Sequence, residues 1–330
     1  MKAIYIMNDD SFELIYPLQI RKEIKKLVDI DERQLSQDTL QNNYHLLKDI
    51  DILISGWGGP RLDAEFLEHA PNLKAVFYGA GSIKNMATDH MWDREIIITN
   101  AVKANAVPVI EFTISQIVFC LKNGWQFVRD IERTKTFPHK PSAIVGGFGS
   151  TVGVISLSTI GKGVCELLKH FDLNVIAYDP FASQEEAERL GVKLCSLDEI
   201  FEQSDIVSVH APLLDETKGM ITASHFAKMK QGASFINTAR GAIVKEEEMI
   251  SVLKQREDIT AVLDVTDPEP PAPESPLYLM PNVILTPHLA GSHGKECARM
   301  GHYMLQELER YVKKEPLQWQ VSREEFYLQA

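Results

Sequence analysis

Short apolar runs, each followed by a polar turn and then a stretch with helical spacing, recur along almost the whole chain. No other feature constrains the fold as strongly. Runs at 3–7, 51–55, 73–78 and 96–99 read as strands, with helices at 36–48 and 63–69. A second series at 152–157, 175–178, 206–210, 233–237, 260–265 and 283–285 alternates with helices at 162–171, 183–190, 223–230 and 246–255. Strands that are apolar throughout and separated by helices belong in parallel sheets covered on both faces. A long apolar stretch at 107–122 suits a buried helix, and 295–313 a final helix. At 330 residues the chain exceeds what one core usually holds, so two domains are expected. Pattern alone divides it near residue 125.

Charge narrows the range of partners. The net charge is −12, from 34 basic and 46 acidic residues, and no block of Lys and Arg stands out. Nucleic acid and anionic membrane are therefore not expected partners. Cys120, Cys165, Cys195 and Cys297 sit at no metal-ligand or redox-motif spacing. His288 and His293 lack a third ligand, so no metal is expected. The first residues lack the apolar core of a signal peptide, and no apolar run reads as long enough to span a bilayer. These features predict a cytoplasmic protein with reduced thiols.

Three residues then carry the chemistry. Arg240 follows the run 233–237, Glu269 follows 260–265, and His288 follows 283–285. Strands of a parallel sheet deliver their last residues to one edge, where ligands bind. A guanidinium, a carboxylate and an imidazole are thus expected in one crevice. Arg holds a carboxylate with two parallel hydrogen bonds. His gives or takes a proton on a substrate oxygen near neutral pH, and an adjacent Glu favours its charged form and fixes the ring. Singly, each residue has an ordinary explanation as a surface charge, a solvated loop acid or a packed histidine. Together, on successive strand ends, they point to a keto or hydroxy acid as substrate.

The turn Val-Ile-Ser-Leu-Ser-Thr-Ile-Gly stands where a dinucleotide-binding turn reads Gly-x-Gly-x-x-Gly, but Ser156 and Ser158 replace the first two glycines and only Gly161 remains. It still leads into a helix start, so the free N–H groups of Thr159 and Ile160 and the helix dipole can hold an anion. Ser158 is expected to add a hydroxyl donor to a phosphate. Asp179 ends the next strand, where an acid accepts from a ribose diol and repels a 2′-phosphate. NAD (as NADH) is therefore the expected cofactor. In the first series, Gly79, Ala80 and Gly81 follow a strand and are expected to form a nest of N–H groups for an anion.

The phrases Asn-Thr-Ala-Arg-Gly, Leu-Asp-Val-Thr-Asp-Pro-Glu-Pro and Thr-Pro-His-Leu-Ala-Gly resemble the D-isomer-specific 2-hydroxyacid dehydrogenase family, phosphoglycerate dehydrogenase-like, over nearly the whole chain. The resemblance implies an α/β fold in which a Rossmann dinucleotide-binding domain, 103–294, is inserted into a discontinuous flavodoxin-like substrate domain, 1–102 and 295–330. It implies Arg240, Glu269 and His288 as catalytic residues, and Gly79, Ala80, Gly81 and Arg240 as ligands of the substrate carboxylate. It also implies that His210, Ala211 and Pro212 lie beside the adenosine. Thr238 and Ala239 would approach the nicotinamide by main chain, Asp264 would contact the carboxamide, and Gly291 would be a further cofactor-binding residue. The stretch 125–150 is expected to be an arm against the second subunit of a homodimer. The activity implied is NAD-dependent hydride transfer between the cofactor and a small D-2-hydroxy acid or 2-keto acid. The alternative is a non-catalytic NAD-binding sensor or corepressor-like protein on the same fold.

Overall fold

The computed structural model describes residues 1–139, 144 and 146–328. The chain forms two compact units, one of Met1–Asn105 with Ser292–Ala330 and one of Ala106–Gly291. The family-derived boundaries, after residues 102 and 294, lie within a few residues of these.

The first unit carries a parallel sheet of β1 (Lys2–Ile6), β2 (Asp29–Leu35), β3 (Ile52–Ser55), β4 (Ala75–Tyr78) and β5 (Ile97–Asn100), in the order β2-β1-β3-β4-β5. This is the flavodoxin-like order. Every residue of β3 and β4 is buried, because helices cover both faces. Alternation along β1 sends Ile4 and Ile6 to one core and Ala3 and Tyr5 to the other. The edge strand β2 reads Asp-Ile-Asp-Glu-Arg-Gln-Leu and buries only Ile30 and Leu35. Its charges give it no apolar pattern, and neither this strand nor the helices Asp9–Ile15 and Leu18–Leu27 are among the expected elements. The stretch 36–48, expected as one helix, is a single helical turn Gln37–Leu40 that tightens into the 3₁₀ segment Gln41–Leu47.

The second unit carries β6 (Thr151–Ile155), β7 (Asn174–Tyr178), β8 (Lys193–Leu194), β9 (Ile206–Val209), β10 (Ser234–Asn237), β11 (Thr260–Leu263) and β12 (Val283–Leu285). Their order is β12-β11-β10-β9-β6-β7-β8, all parallel. The chain winds outward from β6 through β7 to β8, then returns to β9 on the other side of β6. The strand order therefore reverses between β6 and β9, the position at which a Rossmann sheet opens its crevice. One face packs Val207, Val209, Phe235, Ala261 and Leu263; the other packs Val152, Val154, Ile236, Val262 and Ile284.

One expectation is corrected here. The helix Val102–Cys120 has 19 residues and is long and apolar enough to cross a membrane. Its Ile117 and Cys120 pack instead with Val152, Val164 and Ile236 in the core of the second unit. Part of its apolar content therefore serves the core, while Val118 and Phe119 stay exposed.

The final helix Cys297–Lys313 returns to the first unit and buries Cys297, Met300, Met304 and Leu308, one stripe at helical spacing. Its approach to the end of helix Asp9–Ile15 depends on Gly301, where an added Cβ would lie 1.8 Å from the Ile15 carbonyl oxygen. Helix propensity alone favours Ala over Gly by about 1 kcal/mol, whereas forced overpacking costs about 1–3 kcal/mol or more. Backbone cannot swing aside as a flexible side chain would, so the clash wins. Gly301→Ala is expected to lower stability by about 2 kcal/mol, read as a lower urea midpoint at an unchanged m-value; an equal or higher midpoint would refute the close approach.

Candidate functional site

Three strand ends of the second unit bring the catalytic candidates together. After β10, the side chain of Asn237 clamps its own turn: its carbonyl oxygen accepts from the Ala239 N–H at 3.0 Å, and its amide donates to the Arg240 carbonyl at 3.0 Å. The next residue, Gly241, runs against the loop after β11, where a Cβ would lie 2.0 Å from the Thr266 carbonyl carbon. Only glycine permits that approach, and it carries Arg240 alongside the loop that bears Glu269. That loop is braced by Glu246, which accepts from the Asp267 N–H at 2.9 Å, and by the Thr266 hydroxyl, which donates to the Pro268 carbonyl at 2.9 Å. Burial pushes the Glu246 carboxyl above its ordinary value.

His288 sits after β12 with its backbone left-handed, at φ +53°. Histidine is among the residues that adopt this region more readily, at a cost of about 1 kcal/mol or more. The imidazole Nδ1 lies 2.6 Å from Glu269 Oε1 and donates to it, which leaves Nε2 as the nitrogen available for a ligand. The Arg240 guanidinium donates to the Ala239 carbonyl at 2.6 Å. Burial lowers its proton affinity, and the nearby Glu269 charge opposes that effect. Glu269 therefore touches the imidazole directly and acts on the guanidinium through space.

Asp264, expected to meet a carboxamide, also has partners within the fold. Its carboxylate is buried and accepts from the Thr286 hydroxyl at 2.5 Å, the Leu289 N–H at 2.8 Å and the Ala290 N–H at 2.9 Å. Loop 286–290 fills three of its acceptor positions and leaves one on Oδ2, so Asp264 fixes the loop that carries His288. Gly291 follows directly after this clasp. Thr238 places its hydroxyl 3.3 Å from that of buried Thr113, and Ala239 has its N–H committed to Asn237.

At the reversal between β6 and β9, Ser156 also holds a left-handed backbone, at φ +75°. Its carbonyl would lie 2.0 Å from a Cβ at Gly161, so that glycine is required for helix Thr159–Leu168 to meet the turn. Ser158 caps this helix. Its hydroxyl accepts from the Gly161 N–H at 3.4 Å and donates to the His210 carbonyl at 2.8 Å. A hydroxyl has one proton to give, so the expected donation from Ser158 to a phosphate is corrected to a capping role. The N–H groups of Thr159 and Ile160 have no partner among the described residues and open at the positive end of the helix. Asp179 receives the Leu157 N–H at 2.7 Å, the Ser156 hydroxyl at 3.2 Å and the Phe181 N–H at 2.8 Å.

His210 is buried, with Nε2 2.9 Å from the Ser208 hydroxyl and Nδ1 without a partner among the described residues. Ala211 is buried beside it, and the Pro212 carbonyl accepts from Thr217, which braces the loop. In the first unit, the Gly79 N–H donates to the Ser55 carbonyl and the Ala80 N–H to the Tyr78 carbonyl, each at 2.8 Å, and neither Gly79 nor Gly81 has positive φ. The expected nest over 79–81 is therefore not formed. Of the expected donors only the Gly81 N–H lacks a partner among the described residues, and those of Ser82 and Ile83 lie free beside it. Gly79 serves another need: a Cβ there would lie 2.6 Å from the Tyr16 hydroxyl, which donates to the Ser55 carbonyl at 2.8 Å.

A sequence profile of the D-isomer specific 2-hydroxyacid dehydrogenase NAD-binding domain matches residues 114–290. Among curated relatives, a D-3-phosphoglycerate dehydrogenase of Archaeoglobus fulgidus is 34% identical over 257 residues, covering 78% of this chain and 49% of that protein. A glyoxylate reductase of Korarchaeum cryptofilum is 29% identical over 272 residues, 82% of each chain. The chain thus spans about half the length of the phosphoglycerate dehydrogenases that it matches, with 49% and 56% of two of them covered. Among solved structures, a D-isomer specific 2-hydroxyacid dehydrogenase from Lactobacillus delbrueckii ssp. bulgaricus in its NAD complexed form shares the fold, with a TM-score of 0.80, 22% identity and coverage of 98% and 100% of the two chains.

The buried His210 gives this site a pH signature. Burial pushes its imidazole down to about 3 from an ordinary 6.5. Above 6.5 the ring is neutral whether the chain is folded or not. As pH falls from 6.5 toward 3, the unfolded chain takes a proton that the folded chain refuses, and stability is lost at about 1.4 kcal/mol per pH unit. Between pH 7.5 and 5 the parent should therefore lose about 2 kcal/mol relative to His210→Gln, measured by urea unfolding of both proteins at each pH. A gap between them that stays constant would refute the buried neutral histidine.

Proposed function

We propose, from the premise that this chain belongs to the D-isomer specific 2-hydroxyacid dehydrogenase family and that residues 114–290 are its NAD-binding domain, that it is an NAD-dependent oxidoreductase of small D-2-hydroxy acids and 2-keto acids. The observation that carries the reading is the 2.6 Å contact of His288 Nδ1 with Glu269, with Arg240 within reach of the same carboxylate's charge. The relatives' printed activities, on phosphoglycerate and glyoxylate, fall in the same substrate class.

The residues present fit the dinucleotide. Gly161 removes the Cβ that would otherwise block the turn, and the unpartnered N–H groups of Thr159 and Ile160 suit a pyrophosphate. Asp179 stands at the end of β7, where a ribose binds. The loops of His210, Ala211 and Pro212, of Thr238 and Ala239, and of Asp264 and Gly291 border the same sheet edge. When bound, the cofactor supplies or accepts the hydride. The chain's own residues do the rest. Arg240 binds the substrate carboxylate through guanidinium N–H groups that Ala239 does not occupy. His288 Nε2 gives a proton to the carbonyl oxygen on reduction and takes it back on oxidation. Glu269 holds the ring by Nδ1 and stabilises the imidazolium, while Asp264 fixes the loop. In the first unit, the main-chain donors at 81–83 suit an anion, and of the expected Gly79, Ala80 and Gly81 only Gly81 keeps its N–H free among the described residues.

The rival reading is a non-catalytic NAD sensor. The intact trio favours catalysis, since a sensor has no use for a proton donor held at hydrogen-bonding distance by a carboxylate. We further propose a homodimer. Helix Gly124–Thr134 buries no residue and is pinned by Arg129, which donates to the carbonyls of Met280, Pro281 and Val283. Val128, Phe137 and Phe148 are exposed along the same stretch, a surface suited to a second copy. Residues 140–143 and 145 of that proposed arm lie outside the described residues. The free Cys120, Cys165, Cys195 and Cys297 suit a reducing cytoplasmic compartment.

The test is His288→Asn, chosen because Asn also adopts positive φ and keeps the backbone in place. With a panel of 2-keto acids and NADH, kcat is expected to fall by about 10²–10⁴-fold, while the NADH dissociation constant measured by fluorescence stays within a few-fold. Parental turnover by this variant would remove His288 from the chemistry. NADH binding without turnover of any acid by the parent would favour the sensor.

A further inference from the structure

Ser156 stands where the dinucleotide-binding turn uses a glycine, and its backbone keeps the glycine-like left-handed conformation at φ +75°. A side chain is disfavoured in that region, so its presence asks for a compensating contact. The contact is a hydrogen bond from the Ser156 hydroxyl to Asp179 Oδ2 at 3.2 Å. The same oxygen accepts the Leu157 N–H at 2.7 Å, and Oδ1 accepts the Phe181 N–H at 2.8 Å. A carboxylate has about four acceptor positions, so three protein donors leave little rotational freedom and one position open, on Oδ1. A carboxylate with no such ties could turn away from an incoming negative group. This one is fixed at the strand end.

We infer that Ser156 is a positioning residue for nucleotide choice. By tethering Asp179 Oδ2 it locks the carboxylate where a ribose diol can donate to Oδ1 and where a 2′-phosphate meets an unyielding negative charge. The inference rests on the proposed cofactor site and goes beyond it by assigning the discrimination to a pair. The departure from glycine at 156 thereby becomes functional.

The test is a double-mutant cycle read by binding to the full chain rather than by activity. Dissociation constants for NADH and NADPH are measured by nucleotide fluorescence for the parent, Ser156→Ala, Ser156→Gly, Asp179→Asn, and Ser156→Ala with Asp179→Asn. The parent should prefer NADH. Ser156→Ala and Ser156→Gly should each shrink that preference by about five- to ten-fold, the scale of one charge-assisted hydrogen bond partly replaced by Leu157. Asp179→Asn should shrink it further, and adding Ser156→Ala to that variant should change nothing more. Urea midpoints of the apo proteins separate this from packing. Gly relieves the backbone and Ala does not, so the two variants should differ in stability while agreeing in preference. If Asp179→Asn erases the preference but both Ser156 variants keep it, the tether is overturned and the cofactor reading stands. If the parent binds neither nucleotide, or prefers NADPH, the cofactor reading falls and takes the tether with it.

Discussion

A buried carboxylate holds the site together. Asp264 follows β11 and accepts three hydrogen bonds from the loop after β12, so one strand end fixes the chain of its neighbour. Loop N–H groups beyond a parallel sheet have no ladder to join, and an unmet buried N–H costs about 1–3 kcal/mol. The same need recurs along the edge. Asn237 serves the turn before Arg240, Asp179 serves the turn at Leu157, and Ser158 caps the helix after it. Side chains that a ligand-centred view assigns to the ligand are thus first committed to the backbone.

This division of labour explains the strain at the site. His288 and Ser156 both hold left-handed backbones without being glycine, and each has a side-chain hydrogen bond to an acid. The acid in each case comes from another loop. Such conformations persist only where surrounding contacts over-determine them, and here the over-determination comes from neighbouring strand ends. Rigid loops of this kind reduce the ordering that a ligand must supply on binding.

Much of this was legible in the sequence. The apolar runs located ten strands, and they brought Arg240, Glu269 and His288 to one edge because parallel strands leave no other choice. What remained hidden has physical causes. Charged β2 gains its place from pairing with β1 rather than from an apolar pattern, and the helices at 9–15 and 18–27 showed no clear boundary in the sequence. Hydrogen-bond partners are invisible in a linear sequence, so nothing there shows that Asp264 clasps the loop after β12 or that the Ser158 hydroxyl caps a helix. Gly241 and Asn237 were readable only in part: an Asn at a strand end signals a side-chain-closed turn, but nothing nearby reveals that Gly241 meets Thr266. The free N–H groups fall at 81–83 rather than 79–81 because the Gly79 N–H extends the ladder beyond β4 to Ser55.

The chain leaves the first unit at Asn105 and re-enters it at Ser292, and the Ser292 N–H donates to Asn105 Oδ1 at 3.0 Å. Exit and entry are therefore one place, stitched by a single hydrogen bond. To the flavodoxin-like sheet, the 106–291 segment is topologically a loop, however large. A short linker across that stitch would close the first unit without displacing any of its strands, and termini opened at the same point would free the second unit as a continuous chain. The first unit is in that sense interrupted at one seam, where the two ends of its own chain meet.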